Sequence, residues 1–380
     1  MKRKTRVIVD SFHLIQALTG IRTYTTQLCE GLENIADDDV EYMICPNWRK
    51  INETGFLRGK VNGIKKVTNH LLYFVWKQVY LPLLILLKRA DLVVTTDYLL
   101  PFFKFGAKSV TVIHDTFYWD LKGKYNPIWR WYFLKSVHLG IEKQTEIIVT
   151  SDYIKEKVEA LGFERSKMHV AYQAPKKLEI KHESFDFAKI GLPHKARYFL
   201  HVGIFEERKN LSVLVDAFNK LIEEDYYKDF YLLLAGSRAV GWFHDDFNNL
   251  KKQIENLNIQ GRVIMPGFVD NGILGSIYKN AFAYVFPSKE EGFGIPVIEA
   301  MRSEIPVIIS DQRALVEVSG GSALVFDSKK SDDLFHQMKR LSNPDLRKDL
   351  IEKGTIRSQE FTQEIFAHKF HEVVKQALKS

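Results

Sequence analysis

The 380-residue sequence has little cysteine and none of the biased tracts that mark several classes of protein. Only Cys29 and Cys45 occur, too few and too casually spaced for a disulfide framework or a zinc knuckle. There is no low-complexity tract and no repeat of solenoid period. The basic start MKRKTRVIVDSF lacks the long apolar stretch of a signal peptide. These absences favour a folded protein of a reducing compartment, and we expect the cytoplasm.

Familiar nucleotide-binding signatures are missing as well. No G-x-G-x-x-G follows the first strand-like run, which argues against a nicotinamide-dependent oxidoreductase. The stretch GSRAVGW at 236–242 has the glycine spacing of a P-loop, but tryptophan stands where that motif requires lysine. Because the sequence contains no recognisable nucleic-acid-binding module, nucleic acid is not an expected partner.

Positive charge is concentrated in the first half of the chain. The net charge is +7, and residues 1–190 hold 29 Lys and Arg against 21 Asp and Glu, whereas the remainder holds 25 against 26. A basic half is typical of proteins that meet nucleic acid, an anionic membrane surface or a phosphorylated ligand. Solvated surface lysines also explain it, so charge alone does not choose among these partners.

Short aliphatic runs alternate with helical patterns along the chain, from RVIVD at 6–10 to ALVF at 323–326. Continuous apolar strands separated by helices predict an α/β fold with parallel sheets covered on both faces. The charged, proline-bounded stretch from Pro175 to about His194 breaks the pattern, and we place an interdomain linker at 179–195. We therefore predict domains at 1–178 and 196–360, both doubly wound, facing each other across a ligand-binding cleft.

The segment LLYFVWKQVYLPLLILLKR, Leu71–Arg89, is apolar almost all round. As a membrane span it is short and is interrupted by Lys77, Gln78 and Pro82. A buried helix is the favoured prediction. An interfacial helix is the intermediate interpretation, between a buried helix and a membrane span, because aromatic residues lie within the segment and basic residues flank it. The flanking basic residues are Arg58, Lys60, Lys65, Lys66, Lys88 and Arg89.

The most specific stretch is EEGFGIPVIEAM, in which seven residues separate Glu291 from Glu299. It follows a strand-like run, and its proline suits the first turn of a helix. Gly292 and Gly294 let a ligand approach the backbone N–H groups at that helix start, which favour anionic or oxygen-rich groups. The two carboxylates can therefore grip separate hydroxyl-bearing parts of one ligand. Alternatively, they cap and solvate the start of the helix.

With this stretch the sequence resembles glycosyltransferase family 4, a group of retaining, nucleotide-sugar-dependent enzymes whose hallmark is two glutamates at this spacing. The likeness covers nearly the whole chain. It includes TGIRTYTTQL (19–28), VIHDTFYWD (112–120), IIVTSDYIKEKV (147–158) and HVGIFEERKNLSVLVDAF (201–218). The resemblance implies the GT-B fold of two Rossmann-like domains, with the terminal helix, about residues 361–380, packing back on the first domain.

The resemblance also implies where the donor diphosphate binds. Arg208 and Lys209 would hold it, since a guanidinium and an ammonium group can neutralise a pyrophosphate and its growing charge without a metal ion. Gly203 would lie beside it, although Ile204 stands where many relatives carry an arginine. An ordinary charged loop is the alternative explanation of these residues.

For the sugar and the ribose, the resemblance points to the residues of the two-glutamate stretch. Glu291 and the backbone of Gly292, Phe293 and Gly294 would bind hydroxyl groups of the donor sugar, and Glu299 would bind the ribose hydroxyl groups. Glu291 is also a candidate nucleophile, which the sequence leaves open.

Three residues of the first domain complete the expected site. His114 matches the family histidine that lies near the transferred sugar; a histidine bonded inside a core is its alternative. Gly20 falls in the loop that family members use to approach the donor phosphates. Arg22 stands near a position where many relatives have a second glycine, and we hypothesise that it replaces the charge missing at Ile204.

Taken together, the resemblance implies a retaining, metal-independent hexosyltransferase. It would move a hexose, with mannose the favoured sugar, from a GDP or UDP donor to a glycan or lipid-linked saccharide in cell-surface polysaccharide synthesis. The expected catalytic residues are His114, Arg208, Lys209 and Glu291. No cofactor is expected besides the donor as co-substrate, and an anionic membrane surface is a further expected partner. A non-catalytic sugar-nucleotide-binding relative is the alternative.

Overall fold

The computed structural model describes residues 3–17, 20–53, 63–120, 126–178, 186–239 and 245–379, and for 63–67 only the backbone. Outside this description lie Arg58, Lys60, the side chains of Lys65 and Lys66, part of the predicted linker (179–185) and part of GSRAVGW (240–242). The chain divides into two compact units, Met1–Pro175 with Phe361–Ser380, and Lys176–Glu360. The second unit thus begins before the predicted linker, and Phe187–Ile190 of that linker forms a 3-10 helix.

The first unit has six parallel strands in the order β2-β1-β3-β4-β5-β6. Its strands are β1 (Thr5–Asp10), β2 (Val40–Cys45), β3 (Leu92–Thr95), β4 (Lys108–Ile113), β5 (Glu146–Val149) and β6 (Met168–Val170). Its helices are α1 (Gly20–Glu33), α2 (Trp48–Glu53), α3 (Gly63–Val75), α4 (Leu81–Lys88), α5 (Phe117–Asp120), α6 (Pro127–Gly140) and α7 (Asp152–Ala160).

The second unit repeats the plan with the strand order β12-β11-β10-β7-β8-β9, again all parallel. Its strands are β7 (Tyr198–Val202), β8 (Tyr231–Ala235), β9 (Val263–Gly267), β10 (Ala283–Phe286), β11 (Val307–Ser310) and β12 (Leu324–Phe326). Its helices are α8 (Leu211–Leu221), α9 (Phe247–Asn256), α10 (Asn271–Asn280), α11 (Ile295–Arg302), α12 (Arg313–Ser319), α13 (Ser331–Arg340) and α14 (Pro344–Ser358). The last helix, α15 (Gln363–Lys379), belongs to the first unit.

Both faces of the first sheet are covered. Val7 and Val9 of β1 pack in one core with α1 and α15, whereas Ile8 packs in another with Leu81 and Ile85 of α4. Successive side chains of a strand point to opposite faces, so a run such as RVIVD needs cover on both sides. The predicted α/β architecture with parallel sheets is therefore confirmed.

Several helix starts are determined locally by the sequence. The Asn126 side chain accepts hydrogen bonds from Ile128 N and Trp129 N at 3.0 and 3.1 Å, and Pro127 opens α6. Ser151 likewise accepts from Ile154 N at 3.2 Å. These side chains satisfy N–H groups that have no partner within the helix, and proline loses nothing at this position.

The prediction of a buried helix near 71–89 is wrong. α3 and α4 are joined by a π-helical turn, Trp76–Tyr80, and the continuous helix Thr68–Lys88 has the length and composition of a membrane span, with 28% of an 18-residue window buried. Leu87 and Val79 are 67% and 56% exposed, whereas Lys77 is fully buried. Lys77, in the middle of the helix, has partners inside the unit, whereas Lys88 at its end is exposed. The middle of the helix therefore turns its charge inward and its apolar side outward.

Candidate functional site

Three of the predicted site residues meet at one edge of the second sheet. Arg208 and Lys209 lie in a 3-10 turn after β7, and Glu291 lies in the loop after β10, the strand next to β7. Lys209 Nζ donates to Glu291 Oε1 at 2.6 Å, and Arg208 Nη1 lies 2.8 Å from the same oxygen. Since the carboxyl ends of neighbouring parallel strands meet at one edge, loops distant in sequence come together here.

A second carboxylate, which the sequence did not single out, completes this cluster. Glu206 Oε1 accepts from Arg208 Nε at 3.1 Å, and Arg208 Nη1 also donates to Glu290 O at 2.8 Å. Glu206, Lys209 and Glu291 are all buried. Two cations and two carboxylates therefore hold one another, and we call Glu206, Arg208, Lys209 and Glu291 the four-charge cluster. The signal for Glu206 was its position two residues before Arg208.

The electrostatics of the four-charge cluster determine its protonation. Burial alone would raise the pKa of Glu291, but the neighbouring Arg208 and Lys209 outweigh it and lower that pKa to about 2. Burial lowers the pKa of Lys209, and Glu291 opposes this. At neutral pH Glu291 is therefore an ionised carboxylate, which can accept hydrogen bonds from hydroxyl groups but has no proton to donate.

The glycine-rich loop leads directly into α11, as predicted. Gly294 has φ +121°, and a Cβ there would lie 2.7 Å from Leu315 Cδ2, so only glycine fits without strain. Gln312 Nε2 donates to Glu291 O at 3.1 Å and fixes the loop from the side. Gly292, Phe293 and Gly294 therefore lie directly before the start of α11, an eight-residue helix. The first backbone N–H groups of a helix have no partner within the helix and can bind a ligand.

Glu299 lies one turn further into α11, in different surroundings from Glu291. It is 5% exposed, and Tyr278 OH donates to its Oε2 at 3.2 Å. Burial raises the pKa of Glu299, while Lys176 and Tyr278 act against this. Sequence reasoning missed Tyr278, which lies on α10 and carries no local signal of its role. The two glutamates thus have pKa shifts of opposite sign.

Gly203 lies where two loops approach closely. A Cβ at Gly203 would lie 2.9 Å from His201 Nε2, and a Cβ at Gly236 would lie 1.6 Å from Gly203 O. The backbone after β7 therefore packs directly on the backbone after β8. His201 Nδ1 donates to Val285 O at 3.0 Å, and burial lowers its pKa to about 4, so the ring is neutral at neutral pH.

His114, in the first unit, directly follows β4 and is 7% exposed. Its Nε2–H donates to Thr96 O at 2.7 Å, which leaves Nδ1 as the nitrogen with the lone pair. Burial lowers the pKa of His114 to about 4, so the imidazole is neutral at neutral pH. Tyr24 meets the ring edge-on at 4.6 Å. This geometry is compatible with both predicted roles, a ligand-facing histidine and a core histidine.

Gly20 and Arg22 also lie in the first unit. Gly20 is the exposed first residue of α1, and Arg22 follows in the same turn. Arg22 Nε donates to Asn52 Oδ1 at 3.2 Å and its Nη2 to Asn52 O at 3.3 Å. The Arg22 guanidinium is thus tied to the end of α2.

The first unit holds a second buried charge cluster, which the sequence did not predict. We call Asp10, Lys77 and Asp97 the three-charge cluster; their exposed fractions are 1%, 0% and 2%. Lys77 Nζ lies 2.5 Å from Asp10 Oδ2 and forms a hydrogen-bonded ion pair with Asp97. Tyr73 OH donates to Asp97 Oδ2 at 2.6 Å, and Trp76 Nε1 donates to Asp10 Oδ1 at 2.9 Å. Lys77, Tyr73 and Trp76 thus tie the helix Thr68–Lys88 to the ends of β1 and β3.

With respect to metals, no group of three His, Cys, Asp or Glu is placed to hold an ion within the described residues.

Comparison with known proteins identifies the class. Residues 18–174 match the model of Glycosyltransferase Family 4, and residues 182–357 match that of Glycosyl transferases group 1. Sucrose-phosphate synthase from Thermosynechococcus elongatus superposes with a TM-score of 0.70 at 20% identity, covering 98% of this chain and 99% of that chain. HepE from Anabaena, solved with UDP and glucose, gives a TM-score of 0.69 at 14% identity, with coverages of 98% and 100%. The fold is GT-B.

A curated relative agrees with this class. The O-antigen chain mannosyltransferase RfbU of Salmonella typhimurium is 27% identical over 337 residues, which cover 86% of this chain and 88% of that protein. The chain belongs to glycosyltransferase family 4.

Proposed function

We propose that this glycosyltransferase moves a hexose from a nucleoside-diphosphate sugar to a hydroxyl group of a glycan or lipid-linked saccharide, with retention at the anomeric carbon and without a metal ion. The four-charge cluster is the observation that supports the proposal most directly. It supplies a guanidinium and an ammonium group at the carboxyl edge of a parallel sheet, where ligands bind in such folds. These cations take the role that a metal ion has in other phosphate sites.

The proposed step breaks the bond between the anomeric carbon and the diphosphate oxygen, and that oxygen keeps the electron pair. The acceptor oxygen forms the new bond from the same face, and its proton passes to the departing phosphate. Arg208 and Lys209 stabilise the negative charge that grows on the diphosphate. In the first unit, neutral His114 would lie near the transferred sugar and form hydrogen bonds with it.

Glu291 accepts hydrogen bonds from hydroxyl groups of the donor sugar in this proposal. Its Oε1 is already engaged by Lys209 at 2.6 Å and by Arg208 at 2.8 Å. Two cations on one oxygen, together with a pKa of about 2, make this carboxylate a poor nucleophile. We therefore favour the hydroxyl-binding role over a covalent intermediate.

Glu299 binds the ribose hydroxyl groups of the nucleotide. Tyr278 OH holds its Oε2, which orients the carboxylate and leaves Oε1 for the ligand. We propose GDP or UDP as the nucleotide and mannose as the sugar. The mannose follows from the name of the O-antigen relative, and UDP is the nucleotide present in the HepE structure. We propose that the enzyme acts in the synthesis of a cell-surface polysaccharide, in the cytoplasm at the inner membrane face.

Arg22 supplies a further positive charge to the donor phosphates in this proposal, because Ile204 stands where many relatives have an arginine. We expect Arg22→Ala to weaken donor binding severalfold, as loss of one charge-assisted hydrogen bond does. Unchanged donor affinity in this variant would contradict the role. Because Arg22 also bonds Asn52, a melting curve must accompany the binding measurement.

The decisive experiment is a calorimetric titration with UDP, GDP, ADP and their sugar conjugates in the presence of EDTA. Selective binding of one nucleotide, weakened in Lys209→Ala and in Glu299→Ala, is the expected result. Lys220→Ala is the matched control, because Lys220 is an exposed lysine of the same unit that pairs with Asp332. No binding of any nucleotide would contradict the donor site. Binding without sugar transfer to any acceptor would favour a non-catalytic relative.

A further inference from the structure

The helix Thr68–Lys88 has an apolar outward side, which is unusual for a helix on a protein surface. Its inward side, Tyr73, Lys77, Leu81 and Ile85, repeats every four residues and is buried. Its outward side is apolar and 39–67% exposed, and it includes Leu71, Phe74, Val79, Leu83, Leu86 and Leu87. A helix on the surface of a globular unit normally shows charged residues to solvent. Exposed apolar surface of this extent marks a binding site for a protein or a membrane.

Two neighbouring elements extend this apolar surface. In the loop before β4, Phe103 and Phe105 are 69% and 59% exposed, and Phe105 lines one surface depression together with Leu86. On α6, Ile128, Trp131 and Leu139 are 78%, 63% and 65% exposed and lie at the spacing of one helix face.

Both elements contact the helix Thr68–Lys88 directly. Phe102 N donates to Gln78 Oε1 at 3.0 Å, and the rings of Phe74 and Tyr132 lie 5.8 Å apart. We call the outward side of the helix, Phe103, Phe105 and the outer stripe of α6 the apolar face. All of it belongs to the first unit.

The segments that form the apolar face carry charge of one sign, and the nearest acidic side chains, Asp91 and Glu142, are paired with Arg3 and Lys104. The segments 68–90, 101–109 and 127–141 contain no Asp or Glu. Lys88 and Arg89 end the helix and are exposed, and Lys135 is exposed on the same stripe of α6 as Trp131 and Leu139. A surface that combines apolar side chains with cations matches an anionic bilayer surface, which offers hydrocarbon below a negatively charged headgroup layer.

We propose that the apolar face docks on an anionic lipid bilayer, with the helix lying in the interface rather than crossing the membrane. A crossing helix would have to withdraw Lys77 from Asp10 and Asp97 and take it into hydrocarbon. It would also strip Leu81 and Ile85 from the core they form with Ile8 of β1. Lying flat preserves these contacts and buries only the outward side chains.

A second copy of the chain is a weaker candidate for the occupant. Two copies meeting through identical faces would bring their Lys88, Arg89 and Lys135 side chains together without acidic partners from the same segments, whereas lipid phosphates neutralise them. The aromatic residues Tyr80 and Trp131, 51% and 63% exposed, are of the kind enriched at membrane interfaces. The inference does not depend on the donor chemistry proposed above.

Vesicle flotation of the full chain tests the proposal, with phosphatidylcholine vesicles and with vesicles containing phosphatidylglycerol. We expect binding to the anionic vesicles at low salt. Leu87→Glu should reduce partitioning about tenfold or more, because it removes an apolar anchor and adds a repelled charge. The matched control is Ile356→Glu in the second unit, since Ile356 is 61% exposed against 67% for Leu87. This control should leave vesicle binding unchanged.

The basic residues are tested separately. Lys88→Gln with Arg89→Gln should weaken binding to anionic vesicles about fivefold per cation at low salt, and the difference should shrink at high salt. Absence of vesicle binding, or equal losses in Leu87→Glu and Ile356→Glu, would overturn the proposal. So would a concentration-dependent dimer that Leu87→Glu abolishes while vesicle binding is absent. Nucleotide affinity and the melting curve of Leu87→Glu should equal those of the unaltered chain, which separates this test from that of the donor site.

Discussion

The two buried charge clusters differ in stoichiometry and in what surrounds them. The four-charge cluster combines two cations with two carboxylates in loops at the edge of the second sheet. The three-charge cluster combines Lys77 with two carboxylates beneath a helix in the first unit. Its polar neighbours Tyr73 and Trp76 come from that same helix. In the function proposed above the four-charge cluster binds the donor, whereas the three-charge cluster attaches a surface helix.

The pKa shifts sharpen the contrast. Arg208 and Lys209 outweigh burial and lower the pKa of Glu291 to about 2. In the three-charge cluster burial prevails, because one lysine serves two carboxylates, and the pKa of Asp97 rises to about 6. A carboxylate with two cations is firmly ionised, whereas a carboxylate that shares one cation is close to taking up a proton.

The largest expected effect on stability comes from removing Lys77, the cation of the three-charge cluster. Lys77→Met should lower the free energy of unfolding by about 3–5 kcal/mol, because it leaves Asp10 and Asp97 buried without a counterion. Urea denaturation of the full chain measures it. Adding Asp97→Asn to this variant should recover part of the loss, and a loss that the second change deepens would contradict the pairing.

A second prediction concerns removal of a cation from the four-charge cluster. Lys209→Ala should reduce kcat/KM for sugar transfer by about 100- to 1,000-fold, the usual effect of deleting one group that stabilises developing charge. Stability should change less than in Lys77→Met, since Glu291 keeps Arg208 as a partner. Release of nucleoside diphosphate measures the rate. A rate within twofold of the Lys220→Ala control would exclude Lys209 from the reaction.

A third prediction concerns pH. As the pH rises, the contribution of Glu291 to stability should increase and that of Asp97 should decrease. Because the folded-state pKa of Glu291 is lowered, its contribution to stability is present above its ordinary pKa and is lost as the pH falls toward about 2. The pKa of Asp97 is raised, so the folded state holds that proton more tightly, and its contribution declines as the pH rises toward about 6.

Urea denaturation at pH 3 to 7 measures the free energy of unfolding of the unaltered chain and of each variant. The stability difference between the unaltered chain and Glu291→Gln should grow as the pH rises from about 3 to 4.5. The stability of the unaltered chain relative to Asp97→Asn should decrease as the pH rises from about 4 to 6. Parallel pH dependence in the two variants would contradict the contrast between the clusters.

The smallest expected effect concerns Tyr278. Tyr278→Phe removes the hydroxyl group that donates to Glu299 Oε2, and nucleotide affinity should fall about two- to tenfold, as for the loss of one hydrogen bond. Calorimetric titration measures it. Tyr226→Phe is the control, because Tyr226 is 43% exposed on the same unit. Equal affinities in both variants would mean that Tyr278 does not orient the carboxylate.

Much of the fold could be predicted from particular segments. RVIVD and DLVVTT are apolar and β-branched, and both form central parallel strands. The proline of EEGFGIPVIEAM lies in the first turn of α11, as its missing N–H suggests. The helix at Leu71–Arg89 was predicted as a helix but assigned the wrong environment. Composition measures how apolar a segment is, and it does not say whether another segment covers it.

Part of the candidate site was also predictable. Arg208, Lys209 and Glu291 were singled out from the sequence, and the structure brings them together. Glu206 and Tyr278 were missed. The only signal for Glu206 was its position two residues before Arg208, and a tyrosine on a neighbouring helix has no distinguishing local pattern. Asp97, just after β3, could have been suspected from its position near a strand's carboxyl end.

By itself the sequence determined the alternation of strands and helices and the motif that identifies the family, because strand propensity, helix capping and glycine-rich turns act between residues close in the chain. Only the tertiary structure decided which carboxylate each buried cation takes as its partner and which side of the helix Thr68–Lys88 remains exposed. Lys77 and Asp10, or Lys209 and Glu291, are far apart in sequence. Their pairing follows from the tertiary fold, which brings two loops of the second unit together and places a helix of the first unit against the end of β1.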